Sequence, residues 1–425
     1  MALSESTPAP VPTPVPAPVP APPAAPAAPA QASRGLLPLL FTGNAAMYAL
    51  YVGVGAILLP LQVEHIAPHD KVAMLGLVSG ISAIFAAVFN PVAGALSDRS
   101  GRRNPWILAG GLLAVPAMVL LGAVNSILLV ALAWCLGQAV MNVYQAAITS
   151  IVPDRVPEAK RGTASAAVGL GLPIGSVIGV LVGNGFSGGF RTGYLVLGVL
   201  VAVAALLVSG IGKEQRRPAK APASLGEQAR VFADSLRTHD FRWAFIGRAL
   251  LVLGYFAISG YQLYVLQDHI ALPHGMSATA AAAVLTPVSS LAMVVSIAVC
   301  GPLSDRMDAR KRFVGLSAAA SGACALIPVV APTFAGMLVF SVVNGLAFGC
   351  FMAVDTALVT LVLPRAEDAA RDMGVLNIAN AGPQIVAPFI ASVVVGLAGY
   401  DLLFLLGGLL SVLGALAVRP IRSVR

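Results

Sequence analysis

The chain has 425 residues, of which 58% are hydrophobic and 10% charged, with a formal charge of +8 at pH 7. Soluble domains carry about 25% charged residues, so the composition excludes a water-borne globular protein and makes lipid the solvent. The excess of Lys and Arg lies where it can orient a membrane protein, which argues against a nucleic-acid surface.

Residues 1–34 hold an Ala, Pro and Val run in which proline removes donors and fixes φ. This segment is expected to be a disordered cytoplasmic tail that samples extended polyproline conformations. It has neither the cationic start nor the apolar core of a cleaved signal peptide. Apolar runs of about 18 to 28 residues then follow one another, long enough to cross about 30 Å of hydrocarbon at 1.5 Å per residue. They lack the period-two alternation of a membrane barrel, and a helix satisfies its own backbone in lipid. The pattern predicts twelve transmembrane helices, near 36–62, 71–96, 106–124, 126–151, 162–186, 192–212, 242–266, 277–300, 313–330, 333–361, 373–397 and 401–418.

With the N-terminus inside, every Lys and Arg except Lys71, Arg191 and Arg248 falls on the cytoplasmic side. Both termini are therefore expected to be cytoplasmic, in a multi-pass protein of the cell membrane. Cys135, Cys300, Cys324 and Cys350 all fall within or at the ends of spans and read as small apolar packing residues.

An internal repeat offset by roughly 205 to 210 residues organises these spans. Leu61-Gln62, His65-Ile66-Ala67 and Pro68-His69 return as Leu266-Gln267, His269-Ile270-Ala271 and Pro273-His274. GALSDR at Gly94 to Arg99 returns as GPLSDR at Gly301 to Arg306, and Arg161 with Pro173 pairs more weakly with Arg371 and Pro383. The expected organisation is a tail at 1–34, a six-helix bundle at 35–212, a basic cytoplasmic linker at 213–240, a second bundle at 241–418 and a cytoplasmic tail at 419–425.

The segment Gly94-Ala-Leu-Ser-Asp-Arg-Ser-Gly-Arg-Arg103 resembles the signature of the major facilitator superfamily in the loop between its second and third helices. Gly301-Pro-Leu-Ser-Asp-Arg306 resembles the degenerate second copy. The resemblance covers the whole chain apart from its tail. It implies an all-α membrane protein of two pseudo-symmetric six-helix bundles, a secondary transporter working without cofactor or ATP. It further implies a gating role for Asp98, whose family counterpart locks the cytoplasmic side, together with Gly94, Arg99, Arg102, Arg103 and the second copy Gly301, Asp305 and Arg306. Physically, Gly94 permits close packing, Asp98 suits a helix N-terminus in the other half, and the arginines suit acids or lipid phosphates. For Arg102 and Arg103, plain inside-positive charge is an alternative.

In that fold the first, fourth, seventh and tenth helices line a central cavity, so polar residues should recur there at helical spacing. The first carries Asn44, Tyr48 and Tyr51, and the fourth Gln138, Asn142 and Gln145. The seventh carries Arg248, Tyr255, Ser259 and Gln262, and the tenth Asn344, Phe348, Phe351 and Asp355. The eleventh adds Asn377, Asn380 and Gln384. Any one of these serves equally as interhelical glue or as a substrate contact. Together they suit a small polar or amphipathic organic solute better than a bare ion.

Among the 18 acids only Asp355 sits well inside a span, and Arg248 is its basic counterpart. Each lies six or seven positions from the cytoplasmic end, so an ion pair at one depth of about 10 Å is expected. Protonation of Asp355 would release Arg248, making the pair the candidate for proton coupling. Snorkelling of Arg248 to the inner interface, or a purely structural pair, are the other readings. By the repeat, Asn44 and Gln145 would form a neutral version of the same pair.

His65, His69, His269 and His274 gather at the repeated outer loops, where inherited loop sequence accounts for them without a metal. No phosphate-binding loop is present, no nucleophile and base converge at one depth, and an enzyme is not expected. The glycine and proline run Gly169-Leu-Gly-Leu-Pro173-Ile-Gly175 loosely resembles an antiporter signature and leans the reading to efflux of a drug or metabolite. Gly101-Arg-Arg-Asn-Pro-Trp106 resembles the equivalent loop of glycoside-cation importers, and a non-transporting sensor is a third reading. The expected partners are a small-molecule substrate, protons and membrane lipid, with no nucleic acid and a monomeric chain.

Overall fold

The computed structural model describes residues 35–156, 161–211, 236–361 and 369–422. The expected tail at 1–34 and residues 213–235 of the expected linker lie outside the described residues. Helices α1 (Leu36–Ile66), α2 (Lys71–Ser100), α3 (Asn104–Ala123) and α4 (Ile127–Thr149) come first. Then come α5 (Arg161–Gly169, continued by Gly171–Gly185), α6 (Phe190–Ile211) and α7 (His239–Ser259, continued by Gln262–Asp268). The chain closes with α8 (Ala278–Arg306), α9 (Arg310–Cys324 with Leu326–Val330), α10 (Phe334–Leu361), α11 (369–397) and α12 (400–418). The last two run as one rod interrupted only at Ala398 and Gly399, where a φ of 75° at Gly399 turns the chain back. Eleven long apolar rods, one of them broken into two, thus give twelve crossings among the described residues.

Proline explains most interruptions within the helices. Pro60, Pro173 and Pro328 each lack the N–H that would bond the carbonyl four residues earlier. The chain widens into a π segment at Val54–Leu58 and breaks at Leu170 and at Ala325, each just upstream of one of these prolines.

Two helices run further than the sequence suggests. The expected ends at 96 and 300 become Ser100 and Arg306, so GALSDR and GPLSDR are the closing turns of α2 and α8 and not loops. At a water-facing end, charged side chains no longer oppose the helix, and termination waits for Gly101, which takes φ 63°.

In the first six crossings α1 packs on α5 and α6, α2 on α4, and α3 on α4 and α6. In the last six, α8 packs on α10 and α9 on α10 and α12 in the same relation. The two sets meet along α2 with α11 and along α5 with α8. Leu128, Leu132, Leu291, Leu316 and Leu397 face outward, the apolar exterior that lipid accepts and water does not.

The α1–α5 contact sets backbone against backbone. A Cβ added to Gly175 would sit 2.4 Å from the Ala45 carbonyl oxygen, and one on Gly179 2.3 Å from that of Ala49. Backbone cannot retreat as a flexible side chain can, so Gly179→Val is expected to cost upward of about 3 kcal/mol. Loss of the monodisperse peak on size-exclusion chromatography at 40 °C checks it, with Gly185→Val, where nothing lies within 4 Å, as the tolerated control.

Candidate functional site

Arg248 sits on α7 and Asp355 on α10, and their side chains meet as a hydrogen-bonded ion pair with Nη1 donating to Oδ2 at 2.8 Å. Both are deeply buried, with side-chain exposures of 8% and 4%. Their surroundings are apolar, including Leu251, Val252, Phe351 and Val354. Arg248 also donates through Nε to Asn380 Oδ1 on α11 at 3.1 Å. The guanidinium therefore joins three helices, and its planar fork suits two acceptors set at an angle. Arg248 points inward to Asp355 and does not reach for the interface.

Seven residues from each member of the pair, on the same helix face, stands an aromatic ring. Tyr255 on α7 and Phe348 on α10 stack with centroids 3.9 Å apart and planes at 12°. Phe351 continues the apolar wall at 6.4 Å from Phe348. The facing sides of α7 and α10 thus carry two rungs, one charged and one aromatic.

The first six helices carry a neutral counterpart with different partners from those expected. Tyr51 donates to Gln145 Oε1 at 3.1 Å, while Asn44 turns to the Leu40 carbonyl of its own helix and packs beside Gly171 of α5. Tyr48 is half-buried beside Gly175. Asn142 donates to the Gln138 carbonyl at 2.8 Å and accepts from Asn90 of α2 at 2.8 Å. Asn344 accepts from Ser321 of α9, which makes it a tie between helices. Gln262 is half-buried near the Lys71 end of α7, and the side chain of Asn377 lies outside the described residues.

At the expected cytoplasmic end, Asp98 pairs with Arg103 across the α2–α3 turn. Arg103 also donates to Ser97 at 2.8 Å and pairs with Asp154 at 3.1 Å. Asp305 pairs with Arg310 at 2.7 Å, the same five-residue interval one repeat later. The expected partner of Asp98 was a helix N-terminus of the opposite half; the partner here is in its own half, because the α2 extension carries the carboxylate past the membrane to the turn. Arg99, Arg102 and Arg306 are exposed, and Gly94 and Gly301 are half-buried.

The opposite end holds a cluster that sequence reading missed. Lys71 on α2 donates to Glu64 of α1 at 3.0 Å and to Asp268 of α7 at 2.9 Å. Gln267 donates to Glu64 at 2.9 Å, and Tyr400 donates to Asp268 at 2.7 Å. The Lys71 ammonium lies 4.8 Å from the Tyr264 ring centroid, and Tyr264 itself donates to the Pro60 carbonyl across the two sets of helices. Tyr261 donates to the Val72 carbonyl from the same side. A signal was there to be read: Glu64 and Asp268 each directly precede the repeated His-Ile-Ala, and Lys71 is a basic residue outside the expected cytoplasmic set.

The Lys71–Asp268, Gln267–Glu64 and Tyr264–Pro60 bonds latch the two sets of helices together at this end. Lys71→Ala removes the one charge-assisted bond that Lys71 makes between the two sets of helices, to Asp268, worth about 1 kcal/mol once its exposure is discounted, which shifts a two-state equilibrium by about fivefold. Spin labels at the exposed His69 and His274 are expected to show a new, longer distance in that variant. An unchanged distribution retires the latch. His269 lies 3.3 Å from Asp401 beside it, and among the described residues no group of three or more metal-ligating side chains gathers.

Twelve crossings, an apolar exterior and a charged pair sealed between helices define a polytopic membrane protein with a polar interior. The chain belongs to the Major Facilitator Superfamily, whose profile matches residues 39–286 and 255–424. The multi-drug resistance efflux pump PmrA of Streptococcus pneumoniae is 29% identical over 168 residues, 38% of this chain. That match spans 41% of the pump's length. Among solved structures, a peptide transporter POT in complex with alafosfalin superposes with a TM-score of 0.73 at 15% identity, covering 92% of this chain and 96% of the other. The nucleoside transporter NupG gives 0.72 at 16% identity, covering 91% and 99%. At these identities the likeness is one of fold.

Proposed function

We propose that this chain is a proton-coupled secondary transporter that moves a small amphipathic organic solute across the cell membrane by alternating access. The Arg248–Asp355 pair carries the reading. Two opposite charges removed from water in an apolar bundle are costly to keep, and a hydrophobic pair of equal volume is often as stable. A carboxylate held by a single arginine has two distinct ways to be neutralised, by that arginine or by a proton, and can alternate between them. Lys71 at one end, paired across the two sets of helices, is the group that would break as they rock, and Asp98 and Asp305 at the other, now paired within their own sets, are those that would exchange partners as that end closes.

Proteoliposomes under an imposed pH gradient test the reading, screened over sugars, nucleosides, dipeptides and amphipathic drugs. Solute is expected to move against its own gradient and to stop doing so on addition of a protonophore. Flux indifferent to the gradient overturns proton coupling, and binding without flux turns the reading to a sensor. Outward movement is a second reading, favoured by the partial likeness to the efflux pump.

A further inference from the structure

The proposed coupling pair also constrains the charge and shape of the solute, and the following rests on that reading. We infer that the solute is an organic anion with a planar apolar part about 10 Å from its charge, bound between α7 and α10 together with one proton. Its charge follows from counting around Arg248. Among the described residues, Asp355 is the one acid within ion-pair distance of Arg248, and Arg248 the one base within ion-pair distance of Asp355. Asn380 of α11 is neutral, and α8 and α9 bring Cys300 and Ser317 to Cys350, on the same helix as Asp355.

Four charge states of this site are conceivable. Deprotonated Asp355 alone balances Arg248. A protonated Asp355 alone leaves a buried cation uncompensated, which is costly. An anion beside deprotonated Asp355 places two negative charges on one guanidinium. Protonated Asp355 with an anion on Arg248 balances again. The proton and the anion therefore enter together, each raising the affinity for the other by the same factor. A cationic solute would set a second positive charge beside Arg248 and has no balanced state. Proton and solute thus travel in the same direction, with no net charge moved by the pair.

The shape follows from the rungs. Tyr255 is seven residues from Arg248, and Phe348 is seven from Asp355, so the aromatic rung stands about 10 Å along the helices from the charged one. The two rings lie flat on each other at 3.9 Å, and a planar group that enters between or beside them exchanges one stacked partner for another. An anion anchored on Arg248 with its ring at the Tyr255–Phe348 level satisfies both rungs at once.

The test uses the full chain in nanodiscs, with ω-phenylalkanoates from phenylacetate to phenyloctanoate as probes and empty nanodiscs as the blank. Affinity is expected to peak in the longer acids, where ring and carboxylate approach the rung spacing, and to fall tenfold per pH unit once Asp355 is ionised. In weak buffer, binding is expected to take up about one proton per anion. Asp355→Asn should bind the acids with no proton uptake and no pH slope. Phe348→Leu should flatten the length preference and weaken the best acid by up to about tenfold, leaving proton uptake intact. Anion binding without proton uptake, or tighter binding of the matching phenylalkylamines with proton release, overturns the inference while leaving proton coupling standing. A gradient-insensitive flux in proteoliposomes would instead remove the function on which it rests.

Discussion

With Asp355 replaced by Asn, gradient-driven accumulation is expected to collapse to equality across the membrane, while exchange of labelled for unlabelled solute continues. The amide matches the carboxyl in volume and can still accept from Arg248, so the bond of 2.8 Å has an isosteric substitute and the bundle keeps its packing. What is lost is the ability to take and release a proton. In the unaltered protein one coupled proton sustains about tenfold accumulation for each imposed pH unit, since one unit is worth about 1.4 kcal/mol. The variant should sustain none. Counterflow measured in the same vesicles separates lost coupling from lost folding, and gradient-driven accumulation equal to that of the parent removes Asp355 from the mechanism.

Arg248→Ala is expected to damage the fold more than any change at the surface. It leaves Asp355 buried among apolar side chains with no cation, a situation that costs about 3–5 kcal/mol, and it also strips Asn380 of its donor. The double replacement Arg248→Leu with Asp355→Leu removes both charges and should recover most of that loss, while abolishing coupling completely. Thermal unfolding in detergent, followed by tryptophan fluorescence, reads the two directly. Single and double variants of equal stability would mean that the two charges are not energetically joined.

The helices were legible because lipid imposes so strict a rule: each crossing must be long, apolar and self-bonded, and such runs declare themselves. The depth of Arg248 and Asp355 was readable because both are counted from helix ends rich in charge, and two helices running in opposite directions bring equal depths together. Asn44 was less readable. Its spacing put it on a face shared with Tyr48 and Tyr51, yet the glycines of α5 draw α1 so close that this amide has only its own helix to bond. Charge in a sequence marks helix ends at 96 and 300 too early, because at the membrane surface it is only a change of solvent and the helices continue to Ser100 and Arg306. Lys71 is an exception to the orientation rule because its neighbours in space are two acids, Glu64 and Asp268, at duplicated positions of the repeat.

The interval between Arg248 and Asp355 is 107 residues, and this bears on how the protein is made. At about 5–20 residues per second, α7 emerges roughly 5–20 s before its partner on α10. During that wait the guanidinium has no carboxylate to meet, but its place two turns or so from the start of α7 leaves it within reach of the inner headgroups. The nascent helix can therefore enter lipid with its arginine bent back to the surface and draw it inward only once α10 and α11 arrive. Assembly of the second half is then tied to completion of that half, whereas the first half, whose corresponding positions are neutral, is free to settle as soon as it is synthesised.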